Sequence, residues 1–240
     1  MAEPLDSGFY RSFASTTLTA TGARRRARIE AHRLAALHRH RTPPGDFLEI
    51  GPGHGTLAHA AVAAGWRYRG VEPSPVLAPL LAAQGLSIIR AWTPPFPVTD
   101  ACCDVLWADQ VLEHMNGAAE ARAFVSEVRR VLRPGGIAMV VVPDYAKERW
   151  FFWDIDYTHN YVTTERRMRQ LLADGGLEVV ELTRAIGAAT GVPRGALAGA
   201  ALALNVPGVD ALMRGVGKED LLFRIRKNLF QTLLFVGRRS

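Results

Sequence analysis

The sequence predicts an α/β protein built on a doubly wound, mostly parallel sheet with helices on both faces. Three observations carry this expectation. Short apolar runs alternate with helical segments from residue 46 onward, a glycine-rich turn joins the first run to the helix after it, and the second run closes on a carboxylate. In such a sheet, ligands bind beyond the carboxyl ends of the strands.

The elements follow in order. Between Gly22 and His40, residues Ala27, Ala31, Leu34 and His38 recur at helical spacing, and Pro43-Pro44-Gly45 ends the run. Phe47-Leu48-Glu49-Ile50 is a short buried strand, followed by Gly51-Pro52-Gly53-His54-Gly55 and an alanine-rich helix, Thr56 to Ala64. Tyr68 to Glu72, Ser87 to Arg90, Asp104 to Ala108 and Ile137 to Val142 supply four more strands. Helices Val76 to Gln84 and Ala118 to Leu132 lie between them, the second stopped by Arg133-Pro134-Gly135-Gly136. A helix from Thr164 to Ala173, N-capped by Thr163 or Thr164, leads to strand Leu177 to Leu182, and Phe230 to Gly237 is the last strand.

A chain of 240 residues with 48% hydrophobic and 22% charged residues has the apolar surface a folded domain needs. The net charge of +6 is compatible with an anionic partner. Its clusters, Arg24, Arg25, Arg26, Arg28 and Arg33 near the start and Arg224, Arg226, Lys227, Arg238 and Arg239 near the end, read as a solvated helix face and a tail. Cys102 and Cys103 are adjacent, too close to staple distant segments or to frame a zinc site, which fits a reducing cytoplasm. The first residues include Glu3 and Asp6 and lack the apolar core of a signal peptide. The uncharged, apolar stretch Gly195 to Val209 falls short of the roughly 20 residues that span a bilayer.

Glycines spaced Gly51-x-Gly53-x-Gly55 depart from the Gly-x-Gly-x-x-Gly of dinucleotide sites, which disfavours a nicotinamide-dependent oxidoreductase. Glu49 precedes the turn, and Glu72 ends the next strand, where a carboxylate accepts from ribose hydroxyls. These residues form an ordered set: Glu49 to Gly55, Val71-Glu72-Pro73-Ser74, Pro95-Phe96-Pro97, Val111-Leu112-Glu113-His114, and Val131 to Gly136. The set resembles the class I, Rossmann-like S-adenosylmethionine-dependent methyltransferases of the small-molecule "methyltransferase domain" type, over about residues 46 to 183.

The resemblance implies a seven-stranded sheet whose last strand is antiparallel and lies between the fifth and sixth. It implies S-adenosylmethionine as cofactor, with Gly51, Gly53 and Gly55 at its methionine part and Glu72 on the ribose. Glu49 is then near the amino group, or else an acceptor for the amides of the loop. Ala91 and Trp92 bracket the adenine, Trp92 being alternatively a core plug. Asp109 and Gln110 face the methionyl end and the substrate.

Deprotonation of a hydroxyl acceptor needs a base, and His159 and His114 are the candidates. His159 alternatively caps the helix near Thr164, His114 is alternatively structural, and His54 shapes the loop or faces solvent. Asp109, His114, Asp154 and Asp156 are a conceivable Mg²⁺ set, but scattered carboxylates are usually solvated, and no metal is expected. Ala108-Asp109-Gln110-Val111 replaces the Asn/Asp-Pro-Pro-aromatic tetrapeptide of base-methylating enzymes, which makes nucleic acid a disfavoured partner.

The expectation is therefore O-methylation of a small molecule, sugar or lipid-linked glycan. An N- or C-methyltransferase of a small metabolite and a non-catalytic cofactor-binding module are the alternatives. The expected organisation is an N-terminal helical cap (1–45), a cofactor-binding core (46–183), a helical insertion or lid (184–227), and the last strand and tail (228–240). The insertion has a basic end suited to an anionic or membrane-linked acceptor, and it is alternatively plain packing or a dimer contact.

Overall fold

Helix α1 (Ala20–His38) begins at Thr19, whose hydroxyl accepts from the Gly22 N–H at 3.1 Å. The structure, a computed structural model, describes residues 19–240, so the first part of the expected cap, with Glu3 and Asp6, lies outside the described residues. After α1 come β1 (Asp46–Ile50), α2 (Thr56–Ala63), β2 (Arg67–Val71), α3 (Leu77–Ala83), β3 (Ile88–Ile89) and β4 (Cys103–Asp109). A single 3₁₀ turn, Leu112–His114, leads to α4 (Ala118–Val131) and β5 (Leu132–Pro143). Two short helices, α5 (Tyr145–Glu148) and α6 (Phe151–Asp154), precede α7 (Glu165–Asp174) and β6 (Leu177–Ile186). Helices α8 (Gly191–Leu204), α9 (Pro207–Gly215) and α10 (Glu219–Asn228) then lead to β7 (Gln231–Arg239).

The seven strands form one sheet in the order β3-β2-β1-β4-β5-β7-β6, with β7 antiparallel to both neighbours and the other pairs parallel. The order turns around between β1 and β4, the place where open α/β sheets leave a crevice for a ligand. Side chains alternate across the sheet with period two. Leu106 and Ala108 of β4 and Ala138, Val140 and Val142 of β5 point to one core, shared with Phe124, Val125 and Val128 of α4 and Met168, Leu171 and Leu172 of α7. Val105 and Trp107 of β4 and Ile137, Met139 and Val141 of β5 point to the other, shared with Leu34 and Leu37 of α1, Leu57 and Ala61 of α2, and Leu81 of α3.

Two strands, β5 and β6, run at least four residues longer than the sequence predicts. α4 does stop before the Arg133-Pro134-Gly135-Gly136 turn, but β5 already begins at Leu132, because Cys103 pairs with Leu132 and Val105 with Ile137, and Gly135 (φ +74°) lets the extra residues bulge. β6 continues past Leu182 to Ile186, paired with β7 as far as Gln231, so that the chain leaves the sheet later than residue 184. Thr164 is the N-cap of α7, accepting from the Arg167 N–H at 3.3 Å. The basic clusters are not wholly solvated. Arg25 donates to the Asn228 carbonyl at 2.9 Å, and Arg226, 4% exposed, pairs with Asp210 and lies 4.7 Å over the Trp150 ring. Among the described residues no single helix is long and apolar enough to cross a membrane; α8 and Gly208–Gly215, bent by 70°, pass that test only as a pair.

Candidate active site

The glycine turn between β1 and α2 needs left-handed backbone at three points, with φ of +71° at Gly51, +56° at Gly53 and +73° at Gly55. Glycine adopts this region without steric cost. A Cβ on Gly55 would lie 2.5 Å from Leu81 Cδ2, whereas one on Gly53 would meet nothing within 4 Å. Gly55 is therefore demanded by packing, and Gly53 leaves open space beside the loop.

Glu72 follows β2 and is buried, one oxygen accepting from the Gly53 N–H at 3.1 Å and the other from the Ser74 N–H at 2.9 Å. Burial pushes its pKa up despite these bonds. Each carboxylate oxygen has a second lone pair, so the residue holds the loop in shape and keeps acceptor capacity. Glu49, also buried, accepts from the Tyr68 hydroxyl at 2.6 Å, a partner the sequence did not reveal; Glu72, rather than Glu49, accepts from the amide of the glycine loop. Burial raises the Glu49 carboxyl to about 8.

At the end of β4, Asp109 meets the N-terminal helix. Its Oδ2 pairs with Arg33 and lies 3.6 Å from Arg26, and Glu30 sits between them, 2.8 Å from Arg26 and 3.7 Å from Arg33. Glu30 is 1% exposed, and burial, then the Asp109 charge, raises its pKa. α1 thus places two guanidiniums and a carboxylate over the carboxyl edge of the sheet. Asp109 Oδ1 and Gln110 Nε2 are buried without a hydrogen-bond partner, and Gln110 holds φ +57°, strained for a side chain, while its N–H donates to the Val141 carbonyl at 2.9 Å.

Farther along the same edge, His114 and His159 meet with ring centroids 5.0 Å apart. His159 Nδ1 is 2.6 Å from the Phe152 carbonyl, so this histidine is tied to α6 and does not cap α7. Burial, and next the neighbouring imidazole, lowers the His114 pKa to about 4; burial lowers that of His159. Glu113, absent from the sequence-derived site, is fully buried beside them, its pKa raised well above the usual range by desolvation. Of the conceivable Mg²⁺ set only His114 joins a convergent group: single ligand atoms of Glu113, His114 and His159 lie within 4.8 Å of one another. Trp92 is 43% exposed and so is no core plug, while Ala91 packs partly buried against the core.

S-adenosylmethionine fits these residues. Open space at Gly53, spare lone pairs on Glu72, and the orphaned acceptor Asp109 Oδ1 and donor Gln110 Nε2 match a ribose, an ammonium and a carboxylate. Residues 22–182 match a family model described as a methyltransferase domain. An uncharacterized methyltransferase of Mycobacterium leprae is 29% identical over 144 residues, which are 58% of this chain and 48% of that protein, so the chain spans about half the length of this curated relative. The fold is shared with phosphoethanolamine N-methyltransferase 2 of Haemonchus contortus, solved with S-adenosyl-L-methionine (TM-score 0.63, 16% identity, 98% of this chain and 59% of that one). It is also shared with a SAM dependent methyltransferase from Archaeoglobus fulgidus (TM-score 0.62, 13% identity, 96% and 98%). The chain belongs to the methyltransferase-domain family.

Proposed function

We propose that the chain transfers a methyl group from S-adenosylmethionine to a hydroxyl of a small molecule, a sugar or a lipid-linked glycan, in the cytoplasm. The observation that carries the hydroxyl acceptor is the imidazole pair His114 and His159, kept uncharged by burial, on the same sheet edge as Asp109 and Gln110. When bound, the cofactor supplies a methyl carbon whose bond to sulfur breaks as the new carbon–oxygen bond forms, leaving S-adenosylhomocysteine.

The residues divide this task. Glu72 and the Gly51, Gly53 and Gly55 turn bind the ribose and the methionyl chain, Asp109 with Glu49 behind it faces the ammonium, and Ala91 and Trp92 flank the adenine. An in-line displacement requires the acceptor oxygen ~3 Å from the methyl carbon, which is a matter of holding it in place. His159 Nε2 accepts the hydroxyl proton, the Phe152 carbonyl fixing the opposite ring nitrogen as the donor. Helices α8 to α10 are the lid. Leu202, Val206, Leu212 and Val216 stand exposed on these helices and the turns that join them, in the same segment as Arg214 and Lys218, a surface suited to an acceptor with an anionic head and a lipid tail.

Calorimetric titration with S-adenosylhomocysteine, on the wild type and on Glu72→Ala, tests this reading. Binding that is lost in the variant supports the cofactor site and leads to a screen of hydroxylated acceptors; no binding by the wild type overturns it. Methylation confined to amines or carbon acids moves the assignment to an N- or C-methyltransferase, and binding without turnover on any acceptor moves it to a cofactor-binding module.

A further inference from the structure

Glu113, His114 and His159 form a donor set that proton transfer alone does not explain. Neither carboxylate oxygen of the fully buried Glu113 has a hydrogen-bond partner. Leaving such a group unmatched in a protein interior is costly, and a cation is the natural remedy. Both imidazoles already have Nδ1 engaged. A carbonyl only accepts, so His159 Nδ1 donates to Phe152 and leaves the lone pair on Nε2. The Thr158 hydroxyl donates to Asp156 Oδ1 at 2.7 Å and so accepts from His114 Nδ1 at 2.8 Å, which leaves the His114 lone pair on Nε2 as well. A carbonyl behind one histidine and a hydroxyl–carboxylate relay behind the other are the partners that orient metal-ligating imidazoles.

The backbone holds the three together. The N–H groups of Asn160 and Tyr161 both donate to the Glu113 carbonyl, at 2.8 and 2.9 Å, clamping the His159 segment onto the turn that carries Glu113 and His114. We propose that these three side chains bind one divalent transition ion, of the zinc, manganese or iron(II) class, through the Glu113 carboxylate and the two Nε2 atoms. Imidazole nitrogens suit these ions, whereas magnesium and calcium favour oxygen donors. With one ligand atom from each side chain within 4.8 Å of the others, small side-chain rotations close them to the roughly 3.4 Å that ~2.1 Å bonds in a tetrahedron require. Three protein ligands leave a position open for water or an acceptor hydroxyl, the arrangement of a catalytic rather than a structural site. This deepens the methyl-transfer reading and rests on it for its purpose: the ion would lower the pKa of a bound acceptor hydroxyl so that its proton leaves to solvent water, and His159 would then hold the ion instead of taking that proton.

The test uses chelator-stripped full-length protein titrated with Co²⁺, read by visible d–d absorption, with Zn²⁺ as competitor and metal analysis after equilibrium dialysis. The expected result is one Co²⁺ per chain, displaced by Zn²⁺, with uptake lost in Glu113→Gln and His159→Asn. Thr158→Val, which leaves all three ligands in place, is expected to bind about 10- to 100-fold more weakly, a readout available even where a ligand variant fails to fold. Absence of cobalt uptake by the wild type, or uptake unchanged in Glu113→Gln and His159→Asn, overturns the proposal. S-adenosylhomocysteine titration of the wild type separates the two readings, since binding of the nucleoside without cobalt uptake overturns the ion alone, and cobalt uptake without nucleoside binding overturns the methyl-transfer reading alone.

Discussion

Replacing Arg33 by methionine should destabilise the fold more than any other single arginine change on α1. The Arg33 and Asp109 side chains are 11% and 9% exposed, and Glu30 beside them is 1% exposed. Without Arg33, two buried carboxylates share only Arg26, which is 47% exposed and 3.6 Å from Asp109. Removing one partner of a buried ion pair costs about 3–5 kcal/mol. Because Arg26 remains and Glu30 readily takes up a proton, the lower end applies, about 3 kcal/mol. For a chain of this size that is a fall in Tm of roughly 6–12 °C. Scanning calorimetry at neutral pH on Arg33→Met, on Asp109→Leu and on the double variant Arg33→Met/Asp109→Leu reads it, the double variant recovering most of the loss because an apolar pair carries no desolvation cost. A drop of less than about 1 kcal/mol in the single variant, or a double variant worse than the sum of its singles, would refute the buried-network account.

Gly53→Ala and Gly55→Ala should separate binding from packing. The first costs about 1 kcal/mol of backbone strain but weakens S-adenosylhomocysteine binding, and the second adds a 2.5 Å clash with Leu81 and so loses about 1–3 kcal/mol more, as urea titration and calorimetry will show. Glu49 has its folded-state pKa raised from 4.5 to about 8, so its contribution to stability is full below 4.5 and is lost as pH rises through 8. Wild-type stability measured against Glu49→Gln should therefore decline with rising pH across that window, and a flat difference would contradict the buried, protonated carboxyl. Thr164→Ala removes the N-cap of α7 and should cost about 1 kcal/mol in a urea midpoint, whereas Thr163→Ala removes a bond to the Pro143 carbonyl and should leave the start of the helix, read by amide exchange, unchanged.

Much of the sheet was legible because its signals are local. Apolar runs such as Ile137 to Val142 carry their own strand preference, and glycine and proline mark where they stop. The strand lengths at β5 and β6 were not legible, because each is set by a partner distant in sequence. Leu132 belongs to a strand only because Cys103 lies opposite, and Ile186 only because Gln231 does. The glycine turn and the buried carboxylate at the end of β2 were legible for the same local reason, since a tight turn and a strand end are properties of a few consecutive residues.

The buried charged residues were harder to read, for a physical reason that Arg26, Glu30 and Arg33 make clear. At spacings of four and three they form a stripe on one face of α1, and such a stripe normally faces water. Here it adjoins the face carrying the buried Leu34 and Leu37, and is drawn inward by Asp109, a counter-charge supplied by the end of β4. Nothing within the helix specifies that partner. Glu113 presents the same problem in reverse. It stands beside His114 in the sequence and is separated from His159 by the whole of α4 and β5, so its meaning depends on the loop after β5 folding back to donate two amides to its carbonyl. A buried carboxylate that looks like an ordinary turn residue in the sequence becomes, once that loop is placed, one of three side chains whose potential ligand atoms lie within 4.8 Å of one another.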